Sequence, residues 1–496
     1  MQNLFMVIDN GGTNTKVVLV DTQGKQIAVN SFSTPRLEPM KNFREVNMDQ
    51  MWENIVKSIR LILKENGIKS EQIIGISTVG HGKGLYLIDQ AGAPVRNGIL
   101  STDERALEIV NELKLKTRVP TMQPILTSQA PTLLRWLKEN EPVSYRNVAH
   151  VLSAKDYIRF KLTDAIHTDF TDASSNNVMD IVAKVYDPHI FEFFDIEEMF
   201  SKMPAIINST SVAGRVSKET AELTGLVKGT PVITGMFDID ASALATHVLD
   251  PNYISVTAGT WSINEYLSAS PVDYNDDILN SIFVDENYYL IESSSATSSG
   301  NLDIILDLFL DGNINPNSKE LGNKYQIINE LLEKTNSQTT EIIYLPFLYG
   351  SNAHPKAKGS FIGMDSSVNF TQMMRAVFEG VAFSHRYHLE KLLEHKLTET
   401  KGIRVAGGIV NSSIWVQILA DVLGYPVEIF NANELGALGG AIATSVGLGL
   451  SKSLEEACHK MTQIQKQFIP NKDEFDSYEA KYTLYKKIVT QLNEIW

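Results

Sequence analysis

Apolar positions fall in short runs separated by polar turns. Residues 4–8 and 17–20 are two such runs, rich in β-branched side chains, which suits buried strands. With the following segment they predict a three-strand meander over 4–33, its second turn at 21–24. The period then changes. Trp52, Ile55, Val56, Ile59, Ile62 and Leu63 recur at helical spacing across 49–66, and Gly67 is placed to end the helix. Strands are expected again at 72–79, 85–89, 98–101, 230–236, 342–350 and 403–406, with 85–89 and 98–101 continuing the first sheet. Helices are expected at 106–113, 131–140, 154–164, 370–396 and from Ser413 to Gly424. Residues 168–174 read as a polar loop.

Between the first two strands lies DNGGTNTK, residues 9–16. The glycine pair allows a turn with positive φ and lets a ligand approach the main chain. Exposed N–H groups there make an anion nest. Thr13 and Thr15 add hydroxyls, and Lys16 adds a positive charge. Asp9 is an oxygen ligand of the kind Mg²⁺ takes. A plain β-hairpin explains the same residues equally well, because Asn-Gly is a strong hairpin signal. Residues 253–263 repeat the plan: Ile254 and Val256, then Ala258, Gly259 and Thr260, then Trp261 and Ile263. Two strand–Gly–Thr–strand units suggest two related domains facing one ligand. Antiparallel strands, a helix and a further strand give the order of a ribonuclease-H-like, actin-type ATPase domain.

At 496 residues, 43% of them hydrophobic, the chain is too long for one core. The net charge of −15, with no basic block, argues against a nucleic-acid partner. Phosphates would have to be held locally, by backbone donors, a metal and a few cations. The single cysteine, Cys458, lies in a helical segment and reads as packing. No leader segment and no run of about 18 apolar residues is evident, so a cytoplasmic protein is expected.

Other stretches carry candidate chemistry. Gly80-His81-Gly82-Lys83-Gly84 follows a strand's carboxyl end, where ligands bind in open α/β sheets, but it is not a Walker A loop. His81, Asp103 and Arg105 supply the paired donors and acceptors that polyols need; a loop histidine and a helix-capping ion pair are the plainer reading. Asp238 and Asp240 follow the 230–236 strand and precede a helix of small residues. Either fits a general base or a helix cap, and position does not separate them. Gly407-Gly408, then Asn411 and Ser412 before a helix, form a nucleotide-binding pattern or a close strand–helix packing. Residues 434–449 read as a small-residue helix packed under that loop. His385 and His388 lie three apart without a third ligand and read as structural.

Taken together, DNGGTNTK at 9–16, AKDYIRFKLTD and TDFTDAS within 154–174, GMFDID at 235–240, AGT at 258–260 and GGIVNSSIWVQILAD at 407–421 resemble the FGGY carbohydrate kinase family, over essentially the whole chain. Within it the chain is most similar to L-xylulose kinases, through HGKGLYLID at 81–89, NGILSTDERALEIV at 97–110, ATSSGNL at 296–302 and LPFLYGSNA at 345–353. Glycerol kinases carry Arg-Glu where this chain has Gly80-His81. D-Xylulose kinases share the His-Gly but not Lys83-Gly84.

The resemblance implies two ribonuclease-H-like domains, 1–245 for sugar and 246–496 for ATP, around a cleft. It implies Asp238, not Asp240, as general base, and Asp9 as the Mg²⁺ ligand through water. Gly12, Thr13, Asn14, Lys16, Gly259 and Thr260 would meet phosphates, and Gly407, Gly408, Asn411 and Ser412 adenosine. His81, Gly82, Asp103, Arg105 and Asp238 would meet the sugar. The activity implied is ATP-dependent phosphorylation of a ketopentose, first L-xylulose, in a cytoplasmic homodimer with no nucleic-acid or membrane partner. D-Xylulose, ribulose, a tetrose or polyol, and gluconate are the alternative acceptors. An actin-fold ATPase or an inactive sugar-binding regulator is the alternative outside kinase chemistry.

Overall fold

The computed structural model describes residues 2–116, 120, 122–259, 261–273, 278–310, 324–351, 354, 356–431 and 434–496. The chain forms two compact units. The first comprises Met1–His247, Ser268–Leu290 and Ala432–Thr462; the second comprises Val248–Leu267, Ile291–Asn431 and Gln463–Trp496.

In the first unit, β1 (Leu4–Asn10), β2 (Asn14–Asp21) and β3 (Gln26–Ser33) form the expected antiparallel meander. Helix α1 (Met48–Glu65) starts where the Asn47 side chain accepts the Gln50 N–H, and it buries Met51, Trp52, Ile55, Ile59 and Ile62. Strand β4 (Ile73–Gly80) lies parallel to β1. Helices α2 (Ala154–Thr163) and α3 (Phe170–Ser175) follow. Strands β5 (Val212–Arg215), β6 (Pro231–Ile233) and β7 (Met236–Phe237) complete the sheet, and α4 (Asp238–Ala245) leaves β7 directly. The order is β5-β6-β4-β1-β2-β3, with β7 beside β4. Asn10 pairs with Gly80, and Gly80 with Phe237. Three parallel strands therefore end in one line. The turn after Asn10, the loop after Gly80 and the helix beginning at Asp238 leave the sheet at the same edge, where open α/β sheets bind ligands.

Two short strands depart from expectation. Tyr86–Ile88 pairs with His150–Leu152, and Gly98–Ile99 with Glu45–Val46, so neither extends the main sheet. Segments of two or three residues carry too little alternation to specify a partner. Residues 168–174 are no loop either. They form the end of a strand, His167–Asp169, and most of α3, whose cap is the Asp169 side chain accepting from Thr171 N–H.

The second unit repeats the plan. Strand β8 (Tyr253–Ala258) pairs antiparallel with β9 (Ser262–Ser268); β10 (Tyr289–Ser295), β11 (Gly402–Gly407), β12 (Val427–Phe430) and β13 (Ile464–Phe468) follow, in the order β10-β9-β8-β11-β12-β13. Ala258 pairs with Gly407 in the parallel ladder, the counterpart of Asn10 with Gly80. Helices α5 (Ser299–Leu310), α6 (Phe370–His395) and α7 (Ser413–Leu423) cover it. Helix α7 ends at Gly424, in the left-handed conformation at φ 72°.

Helix α8 (Leu435–Gly447) belongs to the first unit and packs on β1, β4 and α4, not under the 407–412 loop. Its glycines make that approach possible. A Cβ on Gly439 would fall 2.1 Å from the Ala241 carbonyl oxygen, and one on Gly440 would fall 2.7 Å from Val7 Cγ1. Among the described residues no helix is long and apolar enough to cross a membrane.

Candidate active site

The β1–β2 turn is closed by Gly11 N–H donating to Asn14 O at 3.0 Å. Neither Gly11 nor Gly12 has positive φ, so these glycines do not serve handedness. They leave room instead: the nearest atom to a Cβ built on Gly12 is Ser101 Oγ, 4.0 Å away. Gly12 is half-buried, and Thr13 and Asn14 are exposed, free to meet a ligand. Below the turn, Asn10 is buried and donates to Thr15 Oγ1 at 2.7 Å, while its carbonyl accepts His81 N–H at 3.0 Å.

Asp9 sits one residue before Asn10, opposite Lys16 in the ladder. Burial and the nearby Glu434 push its carboxyl up to about 6, against the pull of Lys16. Lys16 Nζ is held by Glu434 Oε2 at 2.5 Å. Gly436 lies so close that a Cβ there would fall 2.4 Å from Asp9 Oδ2. Asp238 is the first residue of α4 and is half-buried. Its carboxyl is pushed up to about 8, by desolvation first, then by the negative charges of Asp9 and Asp172; Lys83 opposes this. The cap of α4 is Phe237, so neither Asp238 nor Asp240 is the cap. Asp240 is fully buried.

Asp9, a carboxylate at a sheet edge beside an open glycine turn, whose charge also raises Asp238, fits a divalent cation, which would relieve that repulsion. Among the described residues no group of three or more His, Cys, Asp or Glu is arranged to hold a metal alone. A cation shared between Asp9 and ligand phosphates fits that donor set.

The sugar candidates form a packed floor. His81 is buried. Its Nε2 lies 3.0 Å from Tyr86 Oη and its Nδ1 3.4 Å from Gly82 O, and desolvation brings its pKa down to about 4, so the ring is neutral. Gly82 lies against Phe237, where a Cβ would fall 2.6 Å from the ring. Asp103 accepts Arg105 Nε–H at 2.9 Å and Arg44 N–H at 2.6 Å. Arg105 also donates to Glu45 at 2.8 Å and lies over Phe43 and Trp136, its guanidinium 4.2 and 5.0 Å from the ring centroids. Asp103 and Arg105 thus form the local ion pair of the plainer reading. One buried guanidinium nitrogen, Nη1, has no hydrogen-bond partner among the described residues. Lys83 forms no ion pair among the described residues. It has φ 64° and its ammonium lies 5.7 Å from the Phe237 ring centroid.

In the second unit, Gly259 N–H closes the β8–β9 turn on Trp261 O at 3.1 Å, and Gly259 O accepts Ser299 N–H at 2.8 Å. Thr260 lies outside the described residues. Gly407 has φ 91°, and a Cβ there would fall 2.6 Å from Ala258 O, so glycine is required for the strand ends to meet. Gly408 is open, with Ser299 Oγ 3.6 Å from a built Cβ, and Asn411 is exposed. Ser412 is buried as the α7 cap. It accepts Trp415 N–H at 3.2 Å and donates to Asn329 at 2.5 Å, so its hydroxyl is already engaged.

His385 and His388 are buried and neutral, with desolvation bringing each down to about 3. His385 bridges Ser262 Oγ at 2.9 Å and Ser298 Oγ at 3.1 Å, joining the start of β9 to the residue before α5.

Sequence reasoning missed Lys83, Glu434 and Gly436, and it missed Lys155, Asp169 and Asp172, which form an ion cluster near Asp238. Lys155, Asp169 and Asp172 all lie in quoted motifs, but the cation and its acids are spread over separate elements, so no local spacing marked the cluster. The sequence separation of Lys16 and Glu434 left no signal either.

The N-terminal domain model of the FGGY family of carbohydrate kinases matches residues 4–245, and its C-terminal domain model matches 254–448. An L-xylulose/3-keto-L-gulonate kinase of Escherichia coli (strain K12) is 31% identical over 99% of this chain and 98% of its own. A xylulose kinase of Bacillus subtilis (strain 168) is 25% identical over 98% of this chain and 97% of its own. The crystal structure of gluconate kinase from Lactobacillus acidophilus superposes with a TM-score of 0.89 at 21% identity, covering 99% of both chains, so the two share the actin- and hexokinase-like fold. The expected phosphotransferase acting on a sugar hydroxyl is borne out, and the alternative of an actin-fold ATPase outside kinase chemistry is set aside. Matched along both domains, the chain belongs to the FGGY family of carbohydrate kinases.

Proposed function

We propose that this sugar kinase transfers the γ-phosphate of Mg·ATP to the terminal hydroxyl of a ketopentose, L-xylulose before others, in the cytoplasm. The observation that carries the reading is Asp238, at the end of β7 and in the field of Asp9, with a carboxyl pushed up to about 8. A base with a pKa near the working pH accepts a hydroxyl proton effectively. The E. coli relative's name points to L-xylulose.

In this reading Asp238 takes the proton as the sugar oxygen attacks the γ-phosphorus. Phosphoryl transfer depends on alignment and charge stabilisation more than on covalent help. Asp9 would hold the cation, which would neutralise charge on the phosphates. Thr13, Asn14 and the open face of Gly12 would receive phosphate oxygens in the first unit. Gly259 and Thr260 would do so in the second, with Gly407, Gly408 and Asn411 toward adenosine. Ser412 would act only by shaping that pocket. His81, Gly82, Asp103 and Arg105 would form the sugar's floor.

Lys83 favours a second reading. A cation without an ion pair, beside Asp238, suits a sugar acid such as 3-keto-L-gulonate or gluconate. One experiment tests both: ADP release from Mg·ATP across L-xylulose, D-xylulose, L- and D-ribulose, erythrulose, glycerol, gluconate and 3-keto-L-gulonate. The highest kcat/KM with L-xylulose is expected. A preference of more than tenfold for a sugar acid, lost in Lys83→Met, would replace the first reading with the second.

A further inference from the structure

Beneath the strand ends of the first unit lies a buried ion cluster that the proposed chemistry does not use. Its centre is Lys155, at the start of α2 and fully buried. Lys155 Nζ is 2.7 Å from Asp156, 2.7 Å from Asp169 and 2.9 Å from Asp172, all three carboxylates buried. Arg159, also buried, pairs with Asp156 at 2.8 Å. Three acids and two bases leave one negative charge in excess, and burial with the neighbouring acids pushes Asp172 up to about 6. An apolar core of the same volume would be easier to bury, so such a cluster calls for a role.

Its contacts converge on the segment that presents Asp238. Asp169 Oδ2 accepts the Thr171 hydroxyl at 2.6 Å and the Ser209 hydroxyl at 2.7 Å. The same Thr171 oxygen accepts Phe237 N–H at 2.9 Å, one residue before Asp238. Arg159 donates to the Thr234 carbonyl at 2.6 Å. The segment 234–237 is therefore gripped at both ends by groups that the cluster orients. Between them Gly235 has φ 80°, with no room for a side chain against Thr78 O. The cluster also reaches the neighbouring loop: a Cβ on Gly80 would lie 3.2 Å from Lys155 Cβ.

We infer that Lys155 is a positioning residue for Asp238, acting through Asp169 and Thr171 to fix the Phe237 N–H. This rests on the reading of Asp238 as the base.

The test compares Thr171→Val, nearly isosteric, with Lys155→Met. Amide exchange by mass spectrometry follows the peptide containing Phe237, independently of activity. Turnover is measured across pH, and ADP affinity by calorimetry. Thr171→Val is expected to speed Phe237 exchange at least tenfold and lower kcat by about tenfold to a hundredfold. Its ADP affinity stays within twofold and its pH limb stays in place. Lys155→Met, which removes the cation holding Asp169, is expected to speed Phe237 exchange and lower kcat likewise, with ADP affinity within twofold. If Lys155→Met does not fold, Thr171→Val decides alone. Exchange and kcat within twofold of wild type in Thr171→Val would overturn the inference. If Asp238→Asn keeps kcat within tenfold, the base reading fails, while the exchange result still decides whether Thr171 holds the segment.

Discussion

The turn after β1 and the turn after β8 hold equivalent places in their sheets, but their surroundings are opposite. The first is set among charges: Asp9, Lys16, Glu434 and, along the same sheet edge, Asp238. The second is braced by neutral groups, with His385 bridging Ser262 and Ser298 and Ser299 N–H bonded to Gly259 O. In the proposed reading one strand–turn–strand plan would serve two tasks. Where bonds change, charge must be available to move protons and stabilise phosphate. Where a ligand is only held, neutral hydrogen bonds fix the main chain without adding a field. The expected division is that the first turn governs kcat and the second governs nucleotide affinity.

The largest effect expected is from Asp9→Asn, which should lower kcat by about a thousandfold or more through loss of the cation's carboxylate. Steady-state rates over a Mg²⁺ titration check it, and a loss under tenfold would erase the contrast between the turns. Next is pH. Asp238 must be ionised to act, and its carboxyl stands near 8 in the free protein, so kcat/KM should fall about tenfold per unit as pH drops below that value. A profile flat from pH 6 to 9 would put the proton elsewhere.

In the second turn, His385→Leu should weaken ADP binding about tenfold, about 1.4 kcal/mol, and leave kcat within threefold. Calorimetry and saturation kinetics separate the two, and a collapse of kcat would place this neutral turn in the chemistry as well. The smallest effect is on stability. Because the Asp238 carboxyl is raised on folding, the native state holds its proton through pH 4–8 where the unfolded chain has lost it, so folding weakens as pH rises across that window. Asp238→Asn should raise Tm by about 1–3 °C at pH 8 and leave it unchanged at pH 4, read by differential scanning calorimetry.

The two turns were legible in the sequence because each joins two short stretches rich in apolar, β-branched and aromatic residues, which fit strands. The strand at Gly98–Ile99 was too short to announce its partners at Glu45–Val46. Residues 168–174 look like a loop because they are polar. They instead end a strand and begin a helix, largely buried, because Lys155, on another element, neutralises Asp169 and Asp172. Long-range pairing was equally hidden: nothing local marks Glu434 as the partner of Lys16. The sugar candidates were found as residues, yet Asp103 and Arg105 bind each other, a contact their sequence spacing permits and does not require.

Helix α8 has a consequence for how the protein is made. Strand β1 spans Leu4–Asn10, whereas the helix that lies over β1 and β4 is made much later and ends at Gly447. At about 5–20 residues per second, roughly 20–90 s separate them on the ribosome. Throughout that interval the carboxyl end of the first sheet lacks its cover, and Lys16 lacks Glu434. The first unit is therefore completed only when a segment more than four hundred residues beyond β1 has been made.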